Sequence, residues 1–129
     1  MSNFGFGKTV DLGFDAAIQH VTEELAKEGF GILTVIDVQA TLKAKLDLDM
    51  PPYRILGACN PVLAHQAIQA VPEIGLLLPC NVLVRQDEEG LVHVSFMDPA
   101  AVLGLVDDTR VEPLAGQVKQ KLVTVLAAL

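Results

Sequence analysis

The segment CNVLVRQDEEGLVHVSFM, residues 80–97, decides the fold. Cys80, Val82 and Val84 recur with a period of two, and Val92, Val94 and Phe96 do so again beyond the loop. Such alternation marks strands with one buried and one open face. The residues between them, Asp87-Glu88-Glu89-Gly90, are polar and end in glycine, as a hairpin loop requires. The segment is therefore predicted as two antiparallel strands, Cys80–Arg85 and Leu91–Met97.

Working outward, Tyr53–Ala58 and the β-branched run Gly31–Ile36 read as two more strands, and Lys8–Gly13 as a short fifth. Gly5 and Gly7 are expected to precede that strand. Phe14, Ala17, Ile18, Val21 and Leu25 recur at helical spacing, with Gly29 where a left-handed terminating residue belongs. His20 and Glu24 fall on the opposite, solvated side. Asp37 is placed to cap a short helix bearing Val38, Leu42 and Leu46, which Pro51-Pro52 stops. Asn60-Pro61 is a strong helix start, because Asn caps and Pro fills the first helical position. Leu63, Ala64, Ala67, Ile68 and Val71 make that helix's apolar side, and Pro72 ends it. Asp98-Pro99 begins a short turn or helix. Thr109 and Glu112 have capping-box spacing ahead of a long stripe from Val111 through Leu122 to Leu129. The predicted architecture is α+β: a mainly antiparallel five-stranded sheet in the order β-α-β4-α, two long helices on one face, and short helical insertions.

At 129 residues the chain fits one domain, residues 1–129, able to bury a core. It is 51% hydrophobic with mean hydropathy +0.44, and almost all of that is aliphatic. No apolar run approaches the roughly 20 residues of a membrane span, and Met1 to Lys8 lack the pattern of a signal peptide. The surplus apolar surface points to an oligomer interface. A net charge of −7, with nine scattered Lys and Arg, argues against nucleic-acid binding. Two cysteines without an export signal read as cytoplasmic thiols.

Four motifs resemble a known family: Gly29-Phe30-Gly31-Ile32-Leu33-Thr34 to Asp37, Gly57-Ala58-Cys59-Asn60-Pro61, Gly75-Leu76-Leu77-Leu78-Pro79-Cys80-Asn81, and the hairpin ending in Met97-Asp98-Pro99. Together they resemble domain of unknown function 302, from about Lys8 to Val106. The resemblance implies a saddle-like antiparallel sheet similar to one repeat of the TATA-box-binding protein, and a homodimer. It implies no activity, and a saddle does not bring DNA binding with it.

If Tyr53–Ala58 and Cys80–Arg85 pair antiparallel, Cys59 and Cys80 become neighbours, with the Asn60 helix an excursion between them. Cys59 also precedes a helix N-terminus, whose partial positive charge favours a thiolate. Cys59 is then the candidate reactive thiol and Cys80 its possible resolving partner, with His65 one turn into the helix. The amides of Asn60 and Asn81 are candidates to line a small polar pocket beside the thiols. Each has a plainer reading: the cysteines as small core residues, Asn60 as a cap, Asn81 as a strand-end partner. His93 is out of phase with the valines and is expected on the helix-free face or in an interface. Asp37, Asp47 and Asp49 lack calcium-loop spacing, and the cysteines lack zinc spacing, so no metal is expected. Three functions remain open: a dimeric domain binding a small molecule or ion near the Cys-Asn pairs, a thiol enzyme or redox protein using Cys59, and a structural or protein-binding module. The cofactor, if there is one, stays unknown from the sequence.

Overall fold

The computed structural model describes residues 3–129. Five strands form one sheet: β1 Gly5–Val10, β2 Gly31–Asp37, β3 Tyr53–Cys59, β4 Cys80–Gln86 and β5 Val92–Met97. Their order across the sheet is β1-β5-β4-β3-β2, and every neighbouring pair is antiparallel. The chain thus starts at one edge and crosses by helix α1 (Phe14–Lys27) to the other. It then steps back strand by strand until β5 lies beside β1.

The expected alternation sets the two faces. Val82, Val84, Val92, Val94 and Phe96 point into the core and are almost wholly buried. Removing each such side chain from water stabilises the fold by roughly 1.5–3 kcal/mol. The helices supply the matching surface. Ala17, Val21 and Leu25 of α1 and Leu114, Val118, Leu122 and Val125 of α5 (Glu112–Ala127) join one continuous core with them. The remaining helices are α2 (Val38–Leu46), α3 (Pro61–Ala70) and α4 (Pro99–Leu103), with a 3-10 turn over Pro72–Leu77.

Several local expectations hold for the stated reasons. Asp37 accepts from the Ala40 amide and Asp98 from the Ala100 amide, capping α2 and α4. Gly29 and Gly90 have left-handed backbone. Pro72 follows directly on the end of α3.

Others are corrected. The first strand is Gly5–Val10 and not Lys8–Gly13, because pairing with β5 outweighs the weak strand propensity of two glycines. Gly5 and Gly7 therefore lie inside it. The capping box at Thr109 does not form. Helix α5 begins after Val111 with no side-chain cap, and Asp108 organises the turn by accepting from the Arg110 amide. His20 is not simply solvated: its Nε2 lies 3.1 Å from the Ala128 carbonyl oxygen, because the end of α5 packs over α1. Glu24, half-buried, accepts from Lys27 Nζ at 2.6 Å. Asp37 faces Arg54 at 3.6 Å, while Asp47 and Asp49 share Lys43 at 2.9 and 3.0 Å. Among the described residues, no helix is long and apolar enough to cross a membrane.

Candidate functional site

The three motifs at residues 29–37, 57–61 and 75–81 meet at one corner of the sheet. Gly31 of β2 is in register with Cys59 of β3, and Ala58 with Cys80 of β4. Asn60 ties the corner together. Its Oδ1 accepts from the Leu63 amide at 3.3 Å, capping α3, and its Nδ2 donates to the Glu28 carbonyl at 3.3 Å, at the end of α1. A side chain at Gly29 would crowd Asn60 Nδ2, and Gly29 also needs its φ of +85°. Gly57 is required for space: a Cβ there would run into Thr34 Oγ1 on one side and Pro79 on the other. The peptide bond before Pro79 is cis. The motifs are thus mutual packing partners, which explains their residue types before any function is invoked.

Next to this corner lies a cavity of about 320 Å³. Its walls come from Leu63, Ala64, Ala67 and Ile68 on α3, Leu78 and Pro79 after the 3-10 turn, and Phe30 with Leu33 before and on β2. Leu103 of α4 and Val118 of α5 close it from the helical layer. The fourth motif acts here indirectly: Asp98 caps α4, which carries Leu103, and binds Lys119 of α5 at 3.0 Å. The polar or nucleophilic groups at this cavity are Cys59, Cys80 and the Asn60 side chain. Both cysteines are free thiols, Cys59 half-buried and Cys80 buried. Burial, and secondarily the neighbouring Cys59, push the Cys80 thiol up from 9.0 to about 11. Cys80 is held as a thiol, so a thiolate role at this site falls to Cys59.

The candidate residues separate in space. Cys59, Asn60 and Cys80 border the one cavity. Asn81 does not join them. It follows Cys80 in a strand, so it faces the helix-free side, where it lines a second cavity. That opposition was readable from the period of two. His65 is exposed on α3 and does not border the thiol cavity.

The second cavity, about 670 Å³, lies mainly over the helix-free face of β1, β5 and β4, with Val102 of α4 also in its lining. There the out-of-phase position of His93 acquires content that the sequence did not supply. The ring is 21% exposed and held at both nitrogens, Nε2 2.7 Å from Asp87 Oδ2 and Nδ1 2.8 Å from Thr9 Oγ1. Asp87 Oδ1 meanwhile accepts from the Glu89 and Leu91 amides, both at 2.9 Å, which fixes the carboxylate within the hairpin loop. The hydrogen bond from His93 holds the Asp87 carboxyl below its usual range. Thr9 was missed because only the cross-strand register pairs it with His93, 84 residues away.

The fold and site define a class: an α+β domain with a one-sided antiparallel sheet and a thiol-bordered apolar cavity at the sheet corner. Comparison then places the chain. It matches the family described as Domain of unknown function DUF302 over residues 6–129, and it belongs to that family. It is also similar to the crystal structure of an uncharacterized conserved DUF302 protein from Bacillus stearothermophilus, with 28% identity, a TM-score of 0.90 and 98% of each chain covered. No curated protein matches the chain.

Proposed function

We propose that this protein is a small binding domain whose corner cavity takes a small, mainly aliphatic molecule. The observation that carries this reading is the cavity itself: about 320 Å³, walled by aliphatic side chains, with polarity confined to two thiols and one amide. A concave apolar site with a few placed polar groups is the usual form of a small-molecule site, and this volume lies at the lower end of the range. Asn60 already serves a cap and an interhelix tie, so it orients a ligand only weakly. Specificity would come from shape and from Cys59.

The test is an NMR titration with 1-hexanol. Saturable shifts at Cys59, Leu63 and Ala67, lost on filling the cavity by Ala64→Leu, support the reading. Absence of shifts at these residues, or equal binding by Ala64→Leu, overturns it.

A second reading, a thiol redox protein with Cys59 as the reactive group, is favoured by two free thiols at one cavity. The elevated Cys80 thiol weighs against it, because a resolving cysteine must ionise to attack.

We further propose a cytoplasmic homodimer. Edge strand β2 supports it, with Leu33, Val35 and Ile36 exposed at 66%, 58% and 49%. An apolar edge of this kind invites pairing with a second chain. Free thiols suit a reducing compartment. A monomer by light scattering at micromolar concentration would remove the dimer from the account.

A further inference from the structure

Glycine lets β1 lie tight against β5 beside the helix-free face. Gly5 and Gly7 occupy the open-face positions of β1, opposite Met97 and Ser95. Phe6 between them turns to the core and stacks on Phe96 with ring centroids 5.7 Å apart. A Cβ at Gly7 would run into the Val94 carbonyl oxygen and Ser95, so glycine is what lets the two strands close up there, and the 670 Å³ cavity is lined by both of them.

Cross-strand register arranges the polar groups of that cavity in rows. Thr9, His93 and Arg85 form one row, and Ser95 with Leu83 the next. Met97 and Asn81 stand at the far end, on the same face of β5 and β4.

His93 cannot serve as a free donor here. Both ring nitrogens are already engaged, Nε2 with the Asp87 carboxylate and Nδ1 with the Thr9 hydroxyl. The donors still available are Arg85, Ser95 and Asn81. None of the three side chains has a hydrogen-bond or ion-pair partner among the described residues, and all three residues line the cavity. In a chain of net charge −7, a half-buried guanidinium without a carboxylate is the unusual feature. Among the described residues no acidic side chain borders this cavity, and the nearby Asp87 is turned away onto His93. Lys8 also borders it, but at a register position of the helix-covered face.

We propose that the cavity over β1, β5 and β4 binds a small organic carboxylate, with its acid group on Arg85 and Ser95 and its apolar body against Leu83 and Met97. The planar guanidinium matches a carboxylate in a two-bond fork. The charge count favours a monoanion. On the open face of the cavity Arg85 balances one negative charge, with Lys8 set on the other face of β1, whereas a phosphate dianion would leave excess negative charge in an already acidic molecule. The paired Asp87 and His93 hold the Thr9 end of the hollow rigid, so the site is formed before ligand arrives.

The test uses sodium benzoate as probe, with benzyl alcohol as its uncharged counterpart, read by the Arg85 side-chain and strand amide NMR signals. Benzoate is expected to give saturable shifts on β1, β4 and β5 in the millimolar range, with benzyl alcohol about tenfold weaker or more. Arg85→Gln should weaken benzoate by about tenfold while leaving benzyl alcohol unchanged. Inorganic phosphate should bind more weakly than benzoate. Equal affinity for benzoate and benzyl alcohol, an unaffected Arg85→Gln variant, or no saturable shift with benzoate would each overturn the proposal. So would shifts confined to the Cys59 cavity.

Discussion

The same two strands carry opposite chemistry on their two sides. Toward the helices, β4 and β5 present Val82, Val84, Val92, Val94 and Phe96, packed into the core with α1 and α5. Toward the open side they present Asn81, Leu83, Arg85, His93 and Ser95. The covered side is fixed by apolar burial, which is non-directional and tolerates only well-fitting volumes. The open side is fixed by directional contacts such as the Asp87–His93–Thr9 chain, and it leaves donors unused. One side thus accounts for stability, and the other keeps side-chain donors without partners among the described residues. The corner cavity lies on the seam, with core-like walls and thiols at its edge.

The largest expected effect tests this division directly. Leu56→Ala, at a fully buried position of the covered face, should cost about 3 kcal/mol in urea unfolding. Leu83→Ala, on the open face, should cost less than about 1 kcal/mol. Similar losses at the two positions would erase the contrast.

Next comes the buried thiol at the seam. Both folded and unfolded chains hold the Cys80 proton below its ordinary value of 9.0, and only the unfolded chain gives it up between there and about 11. Stability should therefore fall as pH rises through that window, by up to about 3 kcal/mol. The decline should be smaller in Cys80→Ala, as measured by denaturant titrations at several pH values.

Gly57→Ala should cost about 2 kcal/mol, since its Cβ has nowhere to go between Thr34 and Pro79. A neutral substitution there would show that the motif corner is loosely packed. Smaller still, Asn60→Ala should cost about 1 kcal/mol by removing the α3 cap and the tie to Glu28, read as a shift in the unfolding midpoint.

How much of this was legible in the sequence depends on how local each cause is. The 80–97 hairpin was readable because alternation and a glycine-ended loop are short-range signals. So were the caps at Asp37 and Asn60, where one side chain meets an amide three residues away. Strand β1 was misplaced because Gly5 and Gly7 have poor intrinsic strand preference, and only the distant β5 holds them extended. The candidate site was half legible. Antiparallel pairing of β3 with β4 brought Cys59 and Cys80 to one cavity as expected, and Asn60 with them. Asn81 was grouped with them although its place beside Cys80 in a strand already sends it to the other face. The walls of the cavity, from Phe30 to Val118, come from helices and loops whose docking no local pattern encodes. The Thr9 contact to His93 likewise exists only once the sheet closes around β5.

The most direct test of the corner cavity as a binding site is the rate of thiol alkylation by iodoacetamide at pH 8, with and without 1-hexanol. Cys59 should react first. Cys80, with its thiol raised to about 11, should lag an unshifted thiol by roughly hundredfold from ionisation alone. Adding 1-hexanol should slow Cys59 in a saturable way. Cys80 reacting as fast as Cys59, or a Cys59 rate indifferent to 1-hexanol, would contradict the account.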